Sequence, residues 1–112
     1  LLPETKHLIS TTELSLLRPN AIVINTARGG IIDEIALATA LRERQIAGAG
    51  IDVWGTEPPT TENYAELIGM QNVVALPHLG GSTDEVTKIG CMNAVDIAFD
   101  FLEGKPARNR VY

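Results

Sequence analysis

Cysteine occurs once in this 112-residue chain, at Cys91, so no intrachain disulfide can form and the fold does not depend on an oxidising compartment. Aromatic residues are only 4% of the whole, which leaves Ile, Leu, Val and Ala to build the core. No apolar run approaches the roughly 18–20 residues that a membrane-crossing helix needs. The first residues, Leu1-Leu2-Pro3-Glu4-Thr5-Lys6, lack the layout of a signal peptide, so the expected location is the cytoplasm. Basic residues number 9 against 14 acidic ones, and the net charge of −5 argues against non-specific binding to nucleic acid. The short basic run Lys105, Arg108 and Arg110 reads as a solvated tail. There is no GxGxxG turn and no P-loop. There is no CxxC or HExxH spacing either, so no metal site is expected. The chain has no initiator methionine and opens in what reads as mid-structure, which suggests a piece of a larger protein.

What is present is an ordinary globular composition, 45% hydrophobic and 21% charged. Short β-branched runs alternate with helical segments. Ser10-Thr11-Thr12-Glu13 fits a capping box and predicts a short helix, stopped by Arg18-Pro19-Asn20. Residues 21–26, Ala-Ile-Val-Ile-Asn-Thr, read as a strand buried on both faces. Asp33 caps a second helix running to about Gln45, with Ile35, Ala38 and Leu41 on one side. Ala47-Gly48-Ala49-Gly50 ends that helix and leads into a second strand, Ile51-Asp52-Val53-Trp54. A short helix is predicted over 62–68 and a third strand over 72–76, closed by Pro77-His78. Ser82-Thr83-Asp84-Glu85 is a second capping box, opening the longest helix, Thr83 to Leu102. Its apolar stripe is Val86, Ile89, Met92, Val95, Phe99 and Leu102. Strands alternating with helices imply parallel crossovers, so the fold class is α/β with a small doubly wound sheet.

Open parallel sheets bind ligands beyond the carboxyl ends of their strands. Here each predicted strand end presents one ionisable residue: Arg28, Glu57 and His78. Taken singly, each has a bland reading. Arg28 beside two glycines suits a solvated turn, a lone histidine after a strand is commonly structural, and Glu57 lies in a proline-rich loop. Three complementary groups on one rim are a less ordinary coincidence. An arginine fork can hold a carboxylate through two hydrogen bonds. A histidine exchanges protons at neutral pH, and a glutamate on its far nitrogen would orient the ring. The set suits reduction of a 2-keto acid, with the hydride drawn from a cofactor because no side chain donates one. Asp52 falls inside a buried run and needs a partner, from the protein or a ligand. Gly80-Gly81-Ser82 could receive an anion at the head of the long helix, a weak signal alone. His7 has no companion and reads as structural. Cys91 reads as a small apolar filler.

Residues 24–34, Ile-Asn-Thr-Ala-Arg-Gly-Gly-Ile-Ile-Asp-Glu, closely resemble the signature of the D-isomer-specific 2-hydroxyacid dehydrogenases. So do residues 47–53 with Glu57-Pro58, residues 72–74 with 77–83, and the opening residues 1–9. The run Pro77-His78-Leu79-Gly80-Gly81-Ser82-Thr83, with the Leu-Leu-Pro start, looks most like the phosphoglycerate dehydrogenase branch. The resemblance implies that residues 1–112 are part of an NAD-binding domain: the second half of a Rossmann-type doubly wound parallel sheet, three strands and a long C-terminal helix. The GxGxxG half and the substrate domain would lie outside it. It also implies catalytic roles for Arg28 (substrate binding), Glu57 (histidine support) and His78 (acid–base). NAD contacts are implied for Thr26, Ala27, Arg28, Asp52, His78, Leu79, Gly80 and Gly81. The implied partners are a small 2-hydroxy or 2-keto acid, with 3-phosphoglycerate and serine biosynthesis as the specific case, and further copies of the chain in a homo-oligomer. A strand edge left without its neighbour invites pairing with another chain. An isolated piece would then be inactive and self-associating. A corepressor-like NAD sensor of the same family is the alternative.

Overall fold

The computed structural model describes residues 1–106; Arg108 and Arg110, read above as part of a solvated tail, lie outside the described residues. Three strands, β1 (Ile22–Asn25), β2 (Gly48–Ile51) and β3 (Val73–Ala75), pair in parallel in the order β1-β2-β3. Between them run α2 (Glu34–Arg42) and α3 (Thr61–Gly69); α1 (Thr11–Ser15) precedes β1 and α4 (Asp84–Leu102) follows β3. The chain divides into two compact units, Leu1–Gly80 and Gly81–Tyr112.

In the first unit the helix starts follow the sequence. The Glu13 carboxylate accepts from both the N–H and the hydroxyl of Ser10 at 2.8 Å. Asp33 accepts from the N–H groups of Ile35 and Ala36. The three backbone bonds satisfy N–H donors that a helix start leaves without an intrahelical partner. The helix ends come earlier than predicted, α1 at Ser15 and α2 at Arg42 rather than near Gln45.

The second strand lies three residues before its predicted place. Parallel pairing runs from Ile22 opposite Gly48 to Asn25 opposite Ile51, so β2 uses the glycine-rich segment. Asp52 N–H still reaches the Asn25 carbonyl at 3.0 Å, and then β1 offers no further partner. Residues 52–54 of the predicted strand therefore leave the sheet and become buried loop.

Two successive crossovers in the same direction place α2 and α3 on one face. That face holds the core: Ala49 and Ile51 of β2 pack with Leu14, Leu37, Ala38, Leu41, Trp54 and Leu67. The opposite face is bare within this unit, with Ile22, Ile24 and Val74 at 67%, 70% and 64% exposure. The expectation of a first strand buried on both faces is corrected accordingly. Ile35 is also turned outward, because α2 buries Leu37, Ala38, Ala40 and Leu41.

In the second unit, Thr83 rather than Ser82 caps α4, its hydroxyl accepting from Val86 N–H at 3.2 Å. The stripe Val86, Ile89, Met92, Val95, Phe99 and Leu102 is exposed. No helix among the described residues is long and apolar enough to cross a membrane.

Leu37→Ala should cost about 2–5 kcal/mol by emptying a core site. Ile35→Ala, two residues away on the same helix, should stay within about 0.5 kcal/mol. Urea unfolding of the two variants distinguishes these outcomes, and equal losses would contradict the placement of the α2 core face.

Candidate active site

Three loops leave the carboxyl ends of β1, β2 and β3, and they carry Arg28, Glu57 and His78 respectively. The first is wound around Asn25, the buried last residue of β1. Its side-chain oxygen accepts from Ala27 N–H at 3.1 Å, and its amide nitrogen donates to the Arg28 carbonyl at 3.0 Å. This local side-chain turn leaves Thr26, Ala27 and Arg28 exposed. The Arg28 guanidinium donates to the Ala27 carbonyl at 2.8 Å and forms no ion pair with a described carboxylate.

The second loop begins in the buried run Asp52-Val53-Trp54. Gly29 of the first loop packs directly on it: a Cβ at Gly29 would lie 1.8 Å from the Trp54 carbonyl oxygen. Trp54 N–H donates to Glu57 Oε1 at 3.1 Å, and the indole Nε1–H donates to the Leu76 carbonyl at 2.8 Å. Gly55 N–H reaches Glu34 at 2.8 Å, Thr56 N–H reaches the Tyr64 hydroxyl at 2.7 Å, and the Trp54 and Tyr64 rings lie 4.8 Å apart.

On the third loop, His78 Nδ1 faces Glu57, at 2.8 Å from Oε2 and 3.0 Å from Oε1. His78 has a φ of +60°, in the left-handed region. Beyond it, Leu79 N–H donates to Asp52 Oδ1 at 2.7 Å and Gly80 N–H to Asp52 Oδ2 at 2.8 Å. The partner that buried Asp52 required is therefore this pair of amides.

The hydrogen bond from His78, and then that from Trp54 N–H, hold the Glu57 carboxyl below the usual glutamate range; burial and the nearby Asp52 charge oppose them more weakly. Because the folded value is lowered, the pairing stabilises the fold fully above the unfolded glutamate value. That stabilisation is lost as the pH falls through the lowered folded one.

The structure thus joins Glu57 to His78, and Asp52 to Leu79 and Gly80, while among the described residues Arg28 bonds only within its own loop. Sequence reasoning missed the supports: Asn25, Trp54, Glu34 and Tyr64. An asparagine closing an otherwise apolar strand was a usable signal for the first, and a lone tryptophan at a predicted strand end for the second. Glu34 and Tyr64 act across the fold and left no local trace.

A family model, D-isomer specific 2-hydroxyacid dehydrogenase, NAD binding domain, matches residues 1–80. The chain belongs to this family. It is 42% identical over 108 residues to glyoxylate/hydroxypyruvate reductase B of Salmonella paratyphi B, covering 96% of this chain and 33% of that protein. It is 40% identical over 111 residues to D-3-phosphoglycerate dehydrogenase of Methanocaldococcus jannaschii, covering 99% of this chain and 21% of that one. The chain therefore spans a third or less of these relatives. In structure it resembles the NAD-complexed D-isomer specific 2-hydroxyacid dehydrogenase of Lactobacillus delbrueckii ssp. bulgaricus, with TM-score 0.85 and 30% identity. That match covers all of this chain and 37% of the other. The Rossmann-type half-sheet expected from the sequence is thus the fold. Nearly all the blocks that carried the dehydrogenase resemblance lie inside the matched 80 residues.

Two measurements check this geometry. Gly29→Ala should destabilise by upward of about 2 kcal/mol, because the added methyl meets backbone that cannot yield. Gly69→Ala, with nothing within 4 Å of its Cβ, should be neutral or mildly stabilising. His78→Ala should move the Glu57 carboxyl titration upward, followed by carbon-13 NMR; an unchanged midpoint would show that the pair does not form in solution.

Proposed function

We propose that these residues are part of an NAD-dependent oxidoreductase that transfers a hydride between the nicotinamide cofactor and a D-2-hydroxy acid or its 2-keto acid. The observation that carries this is the His78–Glu57 pair at 2.8 Å. Glu57 is an acceptor, so it keeps a proton on Nδ1 and leaves Nε2 as the nitrogen free to meet a substrate oxygen. Nε2 takes the hydroxyl proton when the alcohol is oxidised and returns it to the carbonyl oxygen in reduction. Arg28, exposed and without an ion-pair partner among the described residues, holds the substrate carboxylate with its remaining donors.

The residues fit such a cofactor. Thr26, Ala27 and Arg28, and His78, Leu79 and Gly80, are exposed on loops at strand carboxyl ends, where open parallel sheets receive nucleotides. With Asp52 and Gly81 they are the residues assigned to NAD. When bound, NAD supplies or accepts the hydride. Within the substrate class, the likeness of the run 77–83 and the opening Leu-Leu-Pro to the phosphoglycerate dehydrogenase branch supports 3-phosphoglycerate, and with it serine biosynthesis. A panel of glyoxylate, hydroxypyruvate and phosphohydroxypyruvate separates it from the smaller acids. The exposed Ile22, Ile24 and Val74 support a homo-oligomer.

In the intact enzyme that carries this sequence, His78→Ala should lower kcat by about 10²–10⁴-fold. NADH affinity should change far less. Stopped-flow turnover and cofactor fluorescence read the two separately, and a parallel loss of both would overturn the role given to His78.

A further inference from the structure

We propose that Asp52 is a positioning residue for His78, acting through the backbone of the loop that carries it. This rests on the acid–base reading of the His78–Glu57 pair and adds the device that holds the histidine in place.

Asp52 is 4% exposed, and no Lys, Arg or His among the described residues pairs with it. Its two oxygens are instead taken one each by successive amides, Leu79 N–H at 2.7 Å and Gly80 N–H at 2.8 Å. A buried carboxylate without a counter-ion is tolerated only where donors of this kind satisfy it. Successive amides can converge on one anion when a neighbouring residue is left-handed, which is the concavity known from anion-binding loops. His78, with φ +60°, is that residue. A residue bearing a Cβ resists this region, so the conformation persists only where its surroundings impose it. The constraint comes from both sides. Before the histidine, Leu76 is fixed by its N–H to the Ile51 carbonyl and by the Trp54 indole on its own carbonyl, both at 2.8 Å. After it, Asp52 holds the next two amides. Released from Asp52, His78 would relax toward the extended region and its imidazole would leave Glu57.

The fit is close at position 80: a Cβ on Gly80 would lie 2.8 Å from Asp52 Oδ2, so the loop or the carboxylate would have to shift and the two hydrogen bonds would be disturbed. Asparagine at position 52 would keep the volume but turn an NH2 group toward one of the two amides.

The test is carbon-13 NMR titration of the glutamate carboxyls in the 112-residue chain and its Asp52→Asn variant. Two opposite results separate two roles. As a mere neighbouring negative charge, Asp52 raises the Glu57 value, so its removal would lower the midpoint further. As a positioning residue, its loss frees His78, and the midpoint should rise toward the ordinary value of about 4.3. Glu13, held low by Ser10 at the start of α1, is the internal reference and should not move. A Glu57 midpoint that falls or stays fixed while Glu13 is unchanged overturns the proposal. If Glu13 rises as well, the variant has unfolded, and Gly80→Ala decides, since its methyl disrupts the fit between the loop and the Asp52 carboxylate without changing charge. The same rise in Glu57 is then expected, and no rise overturns the proposal. Turnover of Asp52→Asn in the intact enzyme distinguishes this proposal from the catalytic reading beneath it. A raised Glu57 midpoint with undiminished kcat would leave the clamp standing and sink the acid–base role of His78.

Discussion

Trp54 is where the three strand-end loops meet. Its indole donates to the Leu76 carbonyl, its backbone N–H donates to Glu57, and its carbonyl lies against Gly29. One buried residue thereby sets the spacing between the loops bearing Arg28, Glu57 and His78. Buried donors and acceptors must be paired, so these bonds act as constraints as well as attractions: losing one leaves a polar group stranded. Tyr64 and Glu34 extend the same arrangement from the helical side, holding Thr56 and Gly55.

The two carboxylates of the site are used differently. Glu57 is partly open to water, and exposed ion pairs add little to stability; in the proposed mechanism its pairing with His78 orients the ring. Asp52 is buried, where an unsatisfied charge would be costly, and it is matched by two amides. Glu57 and His78 are thus open to solvent, while Asp52 is closed off from it.

The sheet is one-sided within Leu1–Gly80. Strand order and crossover direction gather α2 and α3 on one face, where Leu37, Leu41 and Leu67 close over Ala49 and Ile51. Ile22, Ile24 and Val74 are apolar for the same reason the buried residues are, yet they face outward.

The element types, the caps at Ser10–Glu13 and Asp33, and the three ionisable residues at strand ends were legible in the sequence, because each depends on neighbours only a few positions away. The family was legible too, from blocks such as residues 24–34. The register was not: an apolar run at 51–54 looks like a strand from its own residues, but β2 sits at 48–51 because pairing with β1 ends at Asn25. Nor did the sequence reveal that Asp52 meets Leu79 and Gly80, 27 and 28 positions away, or that Trp54 reaches Leu76. Short-range hydrogen bonding and periodicity are properties of the chain itself. Which buried polar group answers which, across loops far apart in the chain, is decided only when the sheet has formed and water has been excluded from between them.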